Sequence, residues 1–160
     1  MKKILFLMAI LPMMLFVACS SDEDSVTNTE VWYIAKNTNS GSSTITGTFC
    51  FFKDGDYDPL TFEYKYYSSP SNIWEDASIK KRNGEVVRSF FTDTVLKDGK
   101  GYGIYKCDPG VYYVVAVVRS NKSNGTIWKA KRIVVEKNKT QVIDAIFKDM
   151  YVDGYTEWDD

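Results

Sequence analysis

The chain opens on an apolar run from Ile4 to Phe16, broken by Pro12, and from Thr44 onward changes to short segments in which every second residue is apolar or aromatic. Alternation at period two in β-branched and aromatic residues predicts strands with one buried face. In TITGTFCFFK, Ile45, Gly47, Phe49 and Phe51 fall on one side and Thr46, Thr48 and Cys50 on the other. In LTFEYKYY, Leu60, Phe62, Tyr64 and Tyr66 oppose Thr61, Glu63 and Lys65. IKKRNGEVVRSFF holds Asn83-Gly84 between two strand-like runs, and this pair, which tolerates positive φ at both positions, predicts a two-residue hairpin. GYGIYKC and VYYVVAVV are joined by Asp108-Pro109-Gly110, and TIWKAKRIVVE and TQVIDAIF by Lys137-Asn138-Lys139. Val111 to Val118 has almost no polar residue, which predicts a central strand covered on both faces. Residues 26–43 are polar apart from Val31 to Ala35, and KNTNSGSST, from Lys36 to Thr44, reads as a loop. No long stretch after residue 19 keeps a 3.6 period, although Asn72 to Lys80 has room for one helical turn. The tail MYVDGYTEWDD either adds an edge strand or hangs free.

Short strands separated by turns at about ten-residue spacing predict an all-β protein, an antiparallel Greek-key β-sandwich of roughly seven to nine strands, transthyretin-like or Ig-like. Turns rather than helices between strands argue against parallel βαβ units. One stretch is more specific. KDGKGYGIYKCDPGVYYVVAVV resembles the transthyretin-like superfamily, which includes the carboxypeptidase regulatory-like domains. The resemblance lies in an Asp-x-x-Gly turn at Asp98 to Gly101, alternating Tyr102 and Ile104, and then Pro109, Gly110, Tyr112, Val114 and Ala116. Cys107 stands where that family usually carries leucine, and Tyr57 to Asp93 departs from its spacing. The resemblance implies a structural or interaction module without shared catalytic residues. Pro109 and Gly110 would make a tight corner, after which Tyr112, Val114 and Ala116 point into the core together.

The N-terminal run belongs to a different kind of signal. Lys2 and Lys3 precede it and small residues lead from it to Cys19, the layout of a secretory signal. The run is short for a membrane span, which needs about 20 residues. Leu15-Phe16-Val17-Ala18-Cys19 resembles the lipobox of bacterial lipoproteins. That resemblance implies a signal peptide over residues 1–18, cleavage before Cys19, and acylation of its thiol and new amino group. Residues 19–30 then form a tether, and 31–160 one β-sandwich domain. The tether begins Ser20-Ser21-Asp22-Glu23-Asp24-Ser25, which has no apolar surface to bury. It also resembles the acidic export signal that places some Gram-negative lipoproteins on the cell surface. The expected location is the outer membrane, on the cell surface, with the periplasmic leaflet as the alternative. The anchor is acyl lipid, and several chains hold far better than one.

Charge and composition narrow the chemistry. Loss of Lys2 and Lys3 leaves 18 basic and 21 acidic residues, a net charge of −3 that offers no basic stripe to nucleic acid. The sequence has no histidine, which removes Ser-His-Asp and Cys-His catalysis and histidine metal sites. Asp54, Asp56 and Asp58 in DGDYDP stand at every second residue, a spacing able to aim oxygens at calcium. As an EF-hand the segment fails, with Pro59 in place of the sixth-position glycine and Lys65 in place of the twelfth-position glutamate, and a hairpin turn explains it as well. Cys50 and Cys107, in an oxidising compartment, either pair as a disulfide or stay as two buried thiols. Aromatics near turns or ends are candidates for stacking on a glycan or anchoring a protein: Tyr66, Tyr67, Trp74 and Trp128, with Tyr155 and Trp158 behind them. Lys129, Lys131 and Arg132 flank Trp128, and their stems are expected to cover part of it. The expectation is a membrane-anchored, non-catalytic module without cofactor that binds a protein or glycan. The alternatives are an accessory subunit of an envelope complex and a small carbohydrate-binding protein.

Overall fold

The computed structural model describes residues 28–40, 43–69, 72–95, 102–122 and 125–159; of residues 40, 67–69 and 72–74 it describes the backbone alone. The expected signal peptide, Cys19, residues 19–27 of the expected tether and the turn expected at Asp98 to Gly101 lie outside the described residues, while Glu30, given to the tether, is the first residue of β1. Twelve strands are present, with a single 3-10 turn at Thr38–Ser40 and no α-helix among the described residues. In chain order they are β1 (Glu30–Asn37), β2 (Ser43–Thr44), β3 (Gly47–Lys53), β4 (Tyr57–Ser69), β5 (Asn72–Lys81), β6 (Val86–Arg88), β7 (Phe91–Val95), β8 (Gly103–Lys106), β9 (Gly110–Arg119), β10 (Thr126–Val135), β11 (Thr140–Phe147) and β12 (Gly154–Tyr155).

They form three sheets. The middle sheet has the order β12-β10-β9-β3-β7. A second sheet has the order β11-β1-β2 with β8 also paired to β1, and a third the order β4-β5-β6. Two apolar clusters set the layers. Tyr33 and Ala35 of β1 and Ile143, Ala145 and Phe147 of β11 pack on Phe49, Phe51, Tyr112, Val114, Ala116, Ile127 and Ile133. On the other face of the middle sheet, Cys50, Phe52, Val115, Val117 and Ala130 meet Tyr57, Phe62, Ala77 and Ile79 of the third sheet. The body is therefore a β-sandwich with a layer on each face of the middle sheet. Residues of β3 and β9 alternate between two cores, so both strands are apolar at odd and even positions.

The all-β expectation holds, and the central placement of Val111 to Val118 holds with it: Val114 to Val118 are buried without a break. Tyr112, Val114 and Ala116 face the first core together, and the Tyr112 hydroxyl donates to the Asp108 carbonyl at 2.6 Å, clamping the Pro109-Gly110 corner. Several expectations are corrected. Pairing is not purely antiparallel: β1 runs parallel to β11 through eight register pairs from Glu30↔Thr140 to Asn37↔Phe147, and β10 runs parallel to β12. Strand count and sheet count exceed a seven-to-nine-stranded pair of sheets because a third sheet covers the face that a simple sandwich leaves to solvent. β3 is not half-buried, since Thr48 and Cys50 enter the second core. Asn72 to Lys80 is strand, held by β4. Val31 to Ala35 is the heart of β1 rather than an apolar island in a polar segment. The Asn83-Gly84 turn has three loop residues. Gly84 N–H donates to the Lys81 carbonyl, Lys81 N–H to the Glu85 carbonyl, and Gly84 alone takes positive φ, 89°. This is a type I turn closed by a glycine bulge.

Candidate binding surface

The third sheet carries the first candidate surface. β4 is interrupted where the register slips between Asp58 and Glu63. Pro59, which has no N–H for the ladder, sits in that slip, and the Thr61 hydroxyl fills it by donating to the Asp58 carbonyl and accepting from Lys80 N–H. Beyond the slip the β4–β5 hairpin crosses the middle sheet. Its contacts there are the Tyr64 hydroxyl 3.2 Å from Thr48 Oγ1, and Thr94 Oγ1, itself bonded to Thr48, reaching Glu75. Desolvation in this seam pushes the Tyr64 phenol up to about 12. Past Tyr64↔Ala77 the hairpin continues for five more register pairs, Lys65↔Asp76 to Ser69↔Asn72. Tyr66 lies on this arm, 57 % exposed. Positions 67 and 74 stand directly opposite one another in the ladder, so three of the aromatics singled out from sequence come together on one arm.

The arm and the chain entry lie at opposite ends of the body. Thr29, just before β1, bonds Cys107 N–H beside the start of β9, whose Tyr112 pairs with Lys53 at the end of β3. β4 starts at that same end, where Tyr57 packs on Phe52 and Tyr113. It then runs toward Thr48 and beyond it. At the entry end Phe90 is exposed beside Tyr105 and Tyr112, with the Lys53 ammonium 4.9 Å from the Phe90 ring centre.

The second surface is the outer face of the β11-β1-β8 sheet. Residues of β1 alternate, so Val31, Tyr33 and Ala35 enter the core and Trp32, Ile34 and Lys36 face away from it. Trp32 lies between Val142 on β11 and Ile104 on β8. Val142 is 59 % exposed, Ile104 43 % and Tyr102 48 %. The Tyr102 ring stacks on Trp32 with centroids 4.8 Å apart and planes 6° from parallel. The indole N–H donates to Glu30 Oε1 at 2.6 Å, so the ring edge is satisfied by a buried carboxylate. Lys36 and Asp144 form an ion pair on the same face. Sequence reasoning missed this surface because VWYIA stands out only as an apolar run in a polar segment, with no alternation to show which residues face out; the signal available was Trp32, Ile34, Tyr102 and Ile104 at the outward parity of their strands.

The other sequence candidates separate. Asp54 makes a two-pronged ion pair with Arg132 at 2.7 and 2.9 Å, and that bond holds its carboxyl below the usual range. Asp56 pairs with Arg82 at 3.0 Å, and Asp58 Oδ1 accepts from Leu60 N–H. The three carboxylates turn to three partners, and among the described residues no cluster of three metal-ligating side chains forms, so the spacing does not gather them at one point. Cys50 and Cys107 are free thiols; Cys50 lies in the second core and Cys107, half-buried, packs against the first, on opposite faces of the middle sheet, which is the unpaired one of the two alternatives open from sequence. Burial pushes both thiols up, Cys50 the more. Trp128 is part of the packing: its N–H donates to the Pro59 carbonyl at 2.8 Å and its ring lies 5.8 Å from Phe62. Lys129 and Lys131 do not cover it, because they leave β10 on the other face. Tyr155 packs at the edge of the second core, and Trp158 donates to the Asp144 carbonyl.

That other face of β10 holds a cleft of about 260 Å³ lined by Lys129, Phe147, Lys148, Asp149, Val152, Thr156, Glu157 and Asp159. The buried Lys129 ammonium donates to the Glu157 carbonyl and lies 3.3 Å from Asp159, whose other oxygen is 3.0 Å from Lys148. The bond from Lys148 and the Lys129 charge hold the Asp159 carboxyl low. The tail thus closes the cleft with its own carboxylate and clasps the first two sheets. No family model, no curated protein and no solved structure matches this chain.

Proposed function

We propose that this protein is a lipid-anchored, non-catalytic binding module that stands on the outer membrane through Cys19 and meets a protein or glycan partner with the β4–β5 arm. The observation that carries the reading is the arm itself. A two-stranded ribbon is marginal in water without a packed face, and here the β4–β5 ladder runs on for five register pairs past Tyr64↔Ala77 and carries an exposed Tyr66, with Glu75 the one described residue of those pairs seen to bond the middle sheet. Stacking on a sugar ring or filling a protein pocket uses this kind of residue. The arm points away from the end at which the tether joins β1. Within this proposal the transthyretin-like reading of Tyr102 to Val118 is supported by the inward set Tyr112, Val114 and Ala116.

The test uses a variant in which residues 66–75 are replaced by Asn-Gly, which shortens the arm and leaves both cores in place. Glycan arrays and partner capture from the envelope fraction are run with the full chain and with the variant. A ligand held by the full chain and lost by a folded variant supports the reading. No ligand, or one held equally by both, contradicts it.

A further inference from the structure

We infer that the outer face of the β11-β1-β8 sheet rests on the bilayer to which the chain is tethered, with Trp32 and Tyr102 at the headgroup level; the inference rests on the Cys19 anchor. The face is apolar across three strands. Val142, Trp32 and Ile104 form one row, and Ile34 and Tyr102 lie beside it. A soluble domain rarely leaves a contiguous apolar patch of this kind to water. Two features point to lipid as what covers it. Trp and Tyr are the side chains that settle at a membrane surface, and Trp32 already has its N–H satisfied within the protein by Glu30, so its ring can enter the apolar zone without losing a bond. The tether reaches the body at Thr29, one residue before β1, the central strand of this face. Ten residue steps lead from Cys19 to Thr29, at most about 35 Å of chain when fully stretched. The anchor therefore holds this face within reach of the lipid at all times, and the remaining contact is nearly intramolecular.

Charge on the face is balanced, with Glu30 and Asp144 against Lys36 and Lys106. The contact is accordingly with the lipid interface in general and needs no anionic headgroup. Orientation follows. With this sheet down, the middle sheet lies above it and the β4-β5-β6 sheet is the outermost layer, about 20 Å further out at one sheet spacing per layer. The arm is then carried on the layer farthest from the membrane.

The acylated full chain, extracted in detergent, is reconstituted into phosphatidylcholine vesicles with and without brominated acyl chains, and tryptophan emission is recorded. Brominated lipid is expected to quench the emission. Trp32→Phe, which keeps the face apolar, should lose most of that quenching. I104D/V142D, which alters two exposed positions, should lose it while keeping Trp32 and a native circular dichroism spectrum. High salt should leave it unchanged. The N-terminal peptide of the same sample is weighed. Acyl chains present with Trp32 unquenched, or quenched only at low salt, refute the docking and leave the anchor standing. A peptide without acyl chains removes both. A dimer in detergent with Trp32 unquenched assigns the face to a second copy and overturns the inference.

Discussion

Removing one oxygen from Tyr33 measures how firmly the first two layers are joined. Tyr33 is fully buried, and its hydroxyl donates to Asp93 Oδ2 at 2.5 Å, a bond from β1 to β7 across the sheets. Burial and the neighbouring carboxylate push its phenol well above the ordinary tyrosine range. Tyr33→Phe keeps the ring against Phe49 and Phe51 and opens no cavity to speak of, so the loss is that of the hydrogen bond. A bond to an ionised partner contributes about 1.5–3 kcal/mol, and Asp93 is left needing another donor. For a body of roughly 130 residues each kcal/mol moves the melting midpoint by about 3–4 °C. The variant should therefore melt about 5–10 °C lower. Calorimetry on the wild type, Y33F, D93N and the double variant forms the cycle, and the coupling between the two sites should exceed about 1 kcal/mol. Additive single losses, or a Y33F midpoint within a degree of wild type, would refute the bond as a tie between layers.

The same packing sets three further outcomes. Gly103→Ala should lower stability by more than about 2 kcal/mol, near the upper part of the range for overpacked cores, because an added Cβ meets the Tyr33 ring at 2.2 Å and Asp93 Oδ2 at 2.8 Å; urea denaturation checks it. In the native protein a thiol reagent should find Cys107 slowly and Cys50 only on unfolding, with no mass change on reduction, since both thiols are free and Cys50 is fully buried. Asp159→Asn should lower the urea midpoint at neutral pH. The Asp159 carboxyl is held low in the folded chain, so its contribution is full above about pH 4 and fades as the pH falls through the lowered value. The gap between wild type and variant should close once the pH lies below that lowered value.

The strand segments were legible because β-branched and aromatic residues alternate so regularly, and Val111 to Val118 announced its double burial by lacking polar residues. TGTFCFF did not, because Thr48 and Cys50 are small and polar enough to pass for an outer face, while the structure buries both under the third sheet. The parallel pairing of β1 with β11 joins residues 110 apart, and no local pattern encodes it. Asn83-Gly84 marked the turn correctly and its length wrongly, since only Gly84 takes positive φ. Of the candidate site, Tyr66, Tyr67 and Trp74 were visible as aromatics near a turn, and the β4–β5 register brings them to one arm. The face around Trp32 was not visible, because outward parity on β1 and β8 becomes apparent only when the two strands are paired.

The account as a whole turns on where the chain begins and what it carries there. The intact mass of the protein extracted from bacterial membranes, together with that of its N-terminal peptide, measures this directly. The expected result is a chain starting at Cys19, with acyl groups on the thiol and amino group and none in a Cys19→Ser form. A chain that begins at another residue, or a Cys19 with a free thiol, would contradict it.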